Sequence, residues 1–172
     1  VLSPAKIVTD MNNSISDNNE SNMFVTLIVG ILDLETGKLK LCNAGHNPPI
    51  LIRPDGQVSF LEFKTQIFVG VIEEFAYTED ETTLEKGSKL FLYTDGVTEA
   101  ENTEKELYGD EKLLKTLSDN NTSDVRTTVN GIEDSVADHV KEAEASDDLT
   151  ILLIQYEPGQ QTIKHISLWK EK

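Results

Sequence analysis

The fold is constrained most strongly by a series of apolar, strand-like segments that follow one another through short turns. Residues 24–33 (FVTLIVGILD) are apolar and rich in β-branched side chains, which predicts a buried strand. An alternating segment follows at residues 38–43 and predicts a second strand. Two further strand-like segments, residues 50–53 and 58–63, are joined by the turn Pro54-Asp55-Gly56. Consecutive hairpins of this kind do not fit βαβ units, so the sequence predicts an α+β fold with antiparallel strands.

Helices and further strands account for the rest of the chain. The pattern predicts helices at residues 3–17, 110–118 and 123–144, strands at 79–84, 89–94 and 149–156, and an edge strand at 160–169. A chain of 172 residues is long enough for one domain with a core, and we expect a single domain over residues 1–172. Apolar residues recur at helical spacing from residue 2 onward, so we expect the sequence to begin inside a longer domain.

Composition argues against several classes of function. The formal net charge is -16, and the sequence shows no basic patch of the kind that nucleic-acid binding requires. An anionic membrane surface would repel such an acidic chain. The one cysteine, Cys42, cannot build a disulfide framework or a zinc cluster. No signal peptide or apolar run of about 20 residues is visible, so we expect a cytoplasmic protein without membrane insertion.

Two acidic segments lie at the ends of strand-like runs, where a charge is costly unless it is paired or bound to a metal. Asp95 directly follows one run, and Gly96 would let the backbone approach a ligand closely. Asp147 and Asp148 come directly before the last core run. If the two runs are antiparallel neighbours, both acidic segments meet at one edge of a sheet. An Asp-Gly turn and acidic loop residues are the alternatives that the local sequence leaves open.

A third candidate segment, N-A-G-H-N-P-P at residues 43–49, forms a constrained corner between two strands. His46 is a candidate metal ligand or acid–base group, and we give Asn43 and His46 supporting roles. Alternatively, His46 and Asn47 only hydrogen-bond the backbone of this corner. His139 lies on an amphipathic helical pattern, and we expect it to face solvent.

Oxygen ligands from several aspartates favour hard cations such as Mg²⁺ and Mn²⁺ over zinc. A site with two such ions could bridge a water, lower its pKa and direct it at phosphorus. No cysteine or serine lies in a recognisable nucleophile elbow, so the sequence offers no candidate for covalent catalysis.

Taken together, the candidate segments resemble the PPM-type (protein phosphatase 2C-like) serine/threonine phosphatases of bacteria. The resemblance is to the branch of the stage II sporulation protein E and sigma-B regulator phosphatases. The matching segments are F-V-T-L at 24–27, N-A-G-H-N-P-P at 43–49, L-Y-T-D-G-V-T-E-A at 92–100 and S-D-D-L-T at 146–150. This resemblance, over residues 2–156, implies an αββα sandwich of two antiparallel sheets flanked by helices. It also implies hydrolysis of phosphoserine or phosphothreonine with two or more Mn²⁺ or Mg²⁺ ions.

The resemblance also implies roles for individual residues. Asp95 and Asp147 match metal-binding, catalytic aspartates of the family, Gly96 lies beside the metal, and Asp148 supports the site. The family's first metal motif, an Asp followed by a Ser/Thr/Gly-His-Gly element, should precede Ser3 together with the first strands. We therefore expect this sequence to be the C-terminal two-thirds of the domain, and to be weakly active or inactive by itself.

The partner implied by the resemblance is a phosphorylated regulatory protein, in particular an anti-sigma-factor antagonist of the sulfate-transporter/anti-sigma (STAS) fold. A sensor domain is expected upstream, and the sequence leaves a homodimer open. The alternative function is a degenerate phosphatase fold that binds or regulates other proteins without catalysis.

Overall fold

The computed structural model describes residues 2–17, 19, 22–143, 148–159 and 165–168, the last four by their backbone alone. The elements, in chain order, are α1 (Pro4–Ser16), β1 (Leu27–Leu32), β2 (Lys38–Ala44), β3 (Ile50–Ile52), β4 (Val58–Phe60), β5 (Thr65–Gln66), β6 (Asp80–Thr83), β7 (Lys89–Tyr93), α2 (Asp95–Thr98), α3 (Gly109–Asp119), α4 (Val125–Val140), β8 (Thr150–Gln155) and β9 (His165–Leu168). None of the described helices combines the length and the apolar character that crossing a bilayer requires.

The chain forms two compact units, each made of two stretches of sequence. The first unit contains Val1–Pro48 and Glu62–Leu84, and the second contains Pro49–Leu61 and Glu85–Lys172. The single domain expected from the sequence stays a prediction.

In the first unit, α1 begins as the sequence predicts. The Ser3 side chain caps the helix by accepting from the Lys6 amide at 3.2 Å, and Pro4 occupies the first turn. The helix buries Val8, which is 0% exposed, in a small core with Cys42 and Val69.

The sheet of the first unit is built around β2. Strand β1 pairs with β2 antiparallel, with Leu27 opposite Ala44, as the hairpin pattern predicts. Strands β5 and β6 pair with different parts of β2, β5 in parallel and β6 antiparallel. The sequence did not predict β5, because a two-residue strand has no periodicity to detect.

The prediction of a buried strand over residues 24–33 is wrong at its beginning. Strand β1 begins only at Leu27, and Phe24 and Val25 are 58% and 45% exposed. Among the described residues β1 pairs with β2 alone, so it lies at a sheet edge. An apolar run does not by itself distinguish an edge strand from a central one, because only neighbouring chain segments decide what covers it.

Glu79 joins the start of α1 to the sheet of the first unit. Its Oε2 accepts from the Ser3 hydroxyl at 2.6 Å and from the Ala5 amide at 3.2 Å, and its Oε1 accepts from Lys40 Nζ at 2.9 Å. The Ser3 hydroxyl, followed by Lys40, lowers the pKa of Glu79 from 4.5 to about 2. Because the folded-state pKa is the lower one, this stabilisation is present above about pH 4.5 and is lost as the pH falls towards 2.

We expect Glu79→Gln to lower the free energy of unfolding by about 1 kcal/mol at pH 7, since charge-assisted hydrogen bonds are replaced by neutral ones. Urea unfolding at pH 7 and pH 3 measures the loss, which should shrink at pH 3 because the unfolded carboxyl is then protonated. Glu81→Gln is the matched control, because Glu81 pairs with Lys38 where both side chains are about half exposed. It should cost less than about 0.5 kcal/mol. Equal losses in the two variants would contradict the role of Glu79.

The second unit is a sheet with the strand order β4-β3-β7-β8-β9, and its neighbours all pair antiparallel. The predicted pairing of residues 50–53 with 58–63 is confirmed. Phe91 of β7 and Ile151 of β8 are 0% exposed and pack with the apolar faces of α3 and α4. These two central strands carry the predicted candidate site at one end.

Candidate metal centre

The end of β7 and the start of β8 lie side by side at one end of the sheet, as the sequence predicts. We call this end, formed by residues 94–96 and 148–150, the β7–β8 edge. Tyr93 lies opposite Ile151 in the antiparallel register. Just beyond that pair, the Thr94 amide donates to the carbonyl of Thr150 at 3.1 Å. The Thr94 hydroxyl donates to the Asp148 carbonyl and accepts from the Thr150 amide, both at 3.1 Å. The amide and the hydroxyl of Thr94 therefore link the end of β7 to the backbone of residues 148–150.

Asp95 opens a one-turn helix at this edge. It is the first residue of α2 and is exposed, and its Oδ1 accepts from the Gly96 amide at 3.0 Å. The sequence did not predict α2, because four residues are too few to show a 3.6-residue period. The helix turns the chain away from the sheet and leaves the Asp95 carboxylate at the edge, accessible to a cation.

Gly96 is required by a close approach of two backbone segments. A Cβ built on Gly96 would lie 2.5 Å from the Asp148 carbonyl oxygen and 3.0 Å from its carbonyl carbon. Those atoms belong to the backbone, which cannot move aside as a flexible side chain could. The contact brings Asp148, which lies just before β8, directly against α2. The close approach of Gly96 to a ligand stays a prediction.

Asp147 lies outside the described residues, so its convergence with Asp95 stays a prediction. Its neighbour Asp148 is described and exposed. The Asp148 carbonyl binds Thr94 and contacts Gly96, so the backbone of this residue has a structural role at the edge. The supporting role of its carboxylate stays a prediction.

The Asn43–His46 corner belongs to the first unit. Asn43 is 1% exposed; its Oδ1 accepts from the His46 amide at 2.8 Å, and its Nδ2 donates to the His46 carbonyl at 2.9 Å. The His46 Nδ1 lies 3.2 Å from the Thr26 hydroxyl. Gly45 has a φ of 75°, and a Cβ there would lie 2.2 Å from the Phe68 ring. Hydrogen bonds at this corner thus fix both the backbone and the ring of His46. The supporting roles of Asn43 and His46 at a metal site stay predictions.

The chemistry of the β7–β8 edge fits a hard cation in part. Asp95 offers an exposed carboxylate, and carboxylate oxygen is a donor that Mg²⁺ and Mn²⁺ prefer. Within residues 2–17, 19, 22–143 and 148–159, no three side chains of His, Cys, Asp or Glu are grouped to hold a metal ion. Asp95 would therefore share an ion with ligands outside that set, and Asp147 is the candidate adjacent in sequence to the described edge.

The sequence analysis missed the contacts of two residues, Thr94 at this edge and His139 on α4. Thr94 was read only as part of a motif, although a hydroxyl at the last position before Asp-Gly can bridge two strand ends. His139 was expected to face solvent. It is instead partly buried and lies 3.0 Å from the Glu106 carbonyl and 3.1 Å from Lys112 Nζ. A single histidine on an amphipathic pattern carries no signal for such contacts.

Comparison with known proteins gives a family and several relatives. The family model for stage II sporulation protein E (SpoIIE) matches residues 1–157. Protein IcfG from Synechocystis sp. is 30% identical over 139 residues, which cover 81% of this chain and 22% of that protein. The phosphoserine phosphatase RsbU from Bacillus subtilis is 24% identical over 155 residues, which cover 90% of this chain and 45% of RsbU. The chain thus spans less than half the length of either curated relative.

Solved structures share the fold. The SiaA-PP2C domain of Pseudomonas aeruginosa superposes with a TM-score of 0.79 at 18% identity, covering 90% of this chain and 61% of that one. The catalytic domain of the serine/threonine protein phosphatase PstP, solved with two manganese ions, gives 0.62 at 16% identity, covering 87% and 67%. These similarities confirm the predicted α+β fold of two sheets and flanking helices. Because the family model matches most of the sequence, the chain belongs to the stage II sporulation protein E family of PP2C-type phosphatase domains.

Proposed function

We propose that the chain is the larger part of a metal-dependent phosphatase domain that removes phosphate from serine or threonine of a regulatory protein. The observation that carries the proposal is the β7–β8 edge, where α2 begins with the exposed carboxylate of Asp95 and its Gly96 packs against the backbone of Asp148. The name of RsbU, a phosphoserine phosphatase, and the manganese ions of PstP support the reaction and the cofactor.

In the proposed mechanism, Asp95 and Asp147 hold Mn²⁺ or Mg²⁺ ions, and Asp148 supports them. Such ions, when bound, polarise a phosphoryl oxygen and acidify water at neutral pH. The protein's own contribution is positional. Thr94 keeps the two strand ends together, Gly96 admits the close backbone contact, and the exposed edge leaves room for a phosphorylated segment.

The proposed substrate is a phosphorylated regulatory protein of the STAS fold, as the family resemblance implies. A solved structure with RsbU and RsbW domains in one Mycobacterium tuberculosis protein, Rv1364c, supports a regulatory-protein context for this fold. The upstream sensor domain, the homodimer and the cytoplasmic location expected from the sequence stay predictions.

Removal of metal should abolish the activity of the full-length gene product. After dialysis against a chelator, we expect no phosphate release from a serine-phosphorylated STAS protein, and recovery on addition of Mn²⁺ or Mg²⁺. Ca²⁺ is the matched control, because its larger size and looser geometry suit phosphoryl transfer poorly. Undiminished release after chelation would contradict the metal mechanism. Binding of the phosphoprotein without release under any metal would favour the binding module that the sequence left as an alternative.

A further inference from the structure

A short hairpin at residues 101–108 follows the helix that carries Asp95. The Tyr108 amide donates to the Ala100 carbonyl at 2.8 Å, and the Asn102 amide donates to the Glu106 carbonyl at 3.0 Å. Ala100 lies two residues beyond the end of α2. The hairpin is therefore attached directly to the one-turn helix, and its position constrains where that helix lies.

His139 of α4 contacts this hairpin through a hydrogen bond. Its Nε2 lies 3.0 Å from the Glu106 carbonyl oxygen, and its Nδ1 lies 3.1 Å from Lys112 Nζ on α3. A carbonyl only accepts and an ammonium only donates, so Nε2 carries the hydrogen and Nδ1 is the acceptor. A neutral imidazole therefore links α3, α4 and the hairpin through two hydrogen bonds of fixed polarity.

Tyr108 fixes the geometry of this link. Its side chain is 2% exposed, and its hydroxyl donates to the Ser135 hydroxyl at 2.9 Å. Its ring lies edge-on to His139 with centroids 5.6 Å apart, and Lys112 Nζ lies 5.0 Å from the ring centroid. The imidazole and the ammonium are thus packed on a buried aromatic ring, which restricts both to one arrangement.

We propose that His139 is a positioning residue for the candidate metal edge, because it holds the hairpin and, through Ala100, the helix that begins at Asp95. This inference rests on the proposed function. Through His139, α4 therefore influences the position of the Asp95 carboxylate.

The test compares His139→Leu with His139→Gln in the full-length gene product. Glutamine keeps a donor for Glu106 and an acceptor for Lys112, whereas leucine keeps neither. We expect His139→Leu to lower kcat about tenfold and to raise the Mn²⁺ concentration needed for half-maximal activity, with little change in KM. His139→Gln should restore most of both. Hydrogen exchange of the Asn102 and Tyr108 amides should be about tenfold faster in the leucine variant than in the glutamine variant.

Two lysine variants complete the design. Lys112→Met removes the donor to His139 and should show a weaker form of the leucine effect. Lys115→Met removes an equal charge from the same helix, where Lys115 forms an ion pair with the exposed Asp119, and should match the wild type. If His139→Leu does not fold, the comparison of His139→Gln, Lys112→Met and Lys115→Met still tests the positioning role of His139.

Equal behaviour of the leucine and glutamine variants, in kinetics and in hydrogen exchange, would overturn the positioning role. If the wild type releases no phosphate with Mn²⁺ or Mg²⁺, the proposed function fails instead. Hydrogen exchange of the hairpin then decides separately whether His139 holds it.

Discussion

Asp95→Asn should lower metal-dependent phosphate release by at least about 100-fold while leaving the fold intact, because the proposed metal site loses one carboxylate ligand. Asparagine is nearly isosteric, and its Oδ1 can still accept from the Gly96 amide as Asp95 does at 3.0 Å. It lacks the negative charge that holds a divalent cation, so affinity for the metal falls. Phosphate release by the full-length gene product at several Mn²⁺ concentrations measures the effect.

The control for Asp95→Asn is Asp134→Asn, an equal loss of charge at an exposed position of α4. It should leave both activity and stability near those of the wild type. Addition of Mn²⁺ should raise the melting temperature of the wild type and of the Asp134 variant, but not that of the Asp95 variant. Wild-type activity in the Asp95 variant would remove this residue from the mechanism.

Gly96→Ala should lower the free energy of unfolding by about 1–3 kcal/mol and reduce activity, although alanine is the better helix former. The added Cβ would lie 2.5 Å from the Asp148 carbonyl oxygen, so α2 and the segment before β8 must separate. That separation would displace the acidic segment on which the proposed metal site depends. Urea unfolding and the phosphate-release assay measure the two effects.

Gly30→Ala is the matched glycine substitution, because its new Cβ would make only ordinary contacts, 3.7 Å from Leu39 Cδ1. We expect it to be neutral or slightly stabilising, since alanine restricts the unfolded chain more than glycine does. If Gly96→Ala were as well tolerated as Gly30→Ala, the close approach between α2 and the β8 segment would not be needed.

The sequence predicted the second unit well because its signals are local and redundant. The runs that became β7 and β8 are apolar, β-branched and bounded by polar residues, and their antiparallel pairing brought Asp95 and the segment of Asp148 to one edge. The failures have a common cause in tertiary contacts. Phe24 remains 58% exposed although its ring lies 5.0 Å from the ring of Phe68, and His139 has partners on α3 and in the segment after α2.

Lys89 illustrates what no local pattern could show. It is the first residue of β7, where a lysine would ordinarily reach solvent, yet it is only 5% exposed. Its Nζ donates to the carbonyls of Asn121, at 3.0 Å, and of Ser123, so it holds the turn between α3 and α4. Burial lowers the pKa of Lys89, with Asp124 opposing the shift. The two acceptors are backbone atoms more than 30 residues away, which carry no signature in the sequence.

The strand order of the second unit has a consequence during protein synthesis. Strand β7 pairs on one side with β3 and on the other with β8, and β8 lies more than 50 residues further along the chain. Contacts between such distant segments require large loops to close before they stabilise anything, which slows folding. On the ribosome, Asp95 emerges long before Thr150 and Gln155, the ends of the strand that completes its edge. A nascent chain therefore cannot assemble the proposed metal edge until the last core strand has left the exit tunnel, so an interrupted translation product carries Asp95 without a site.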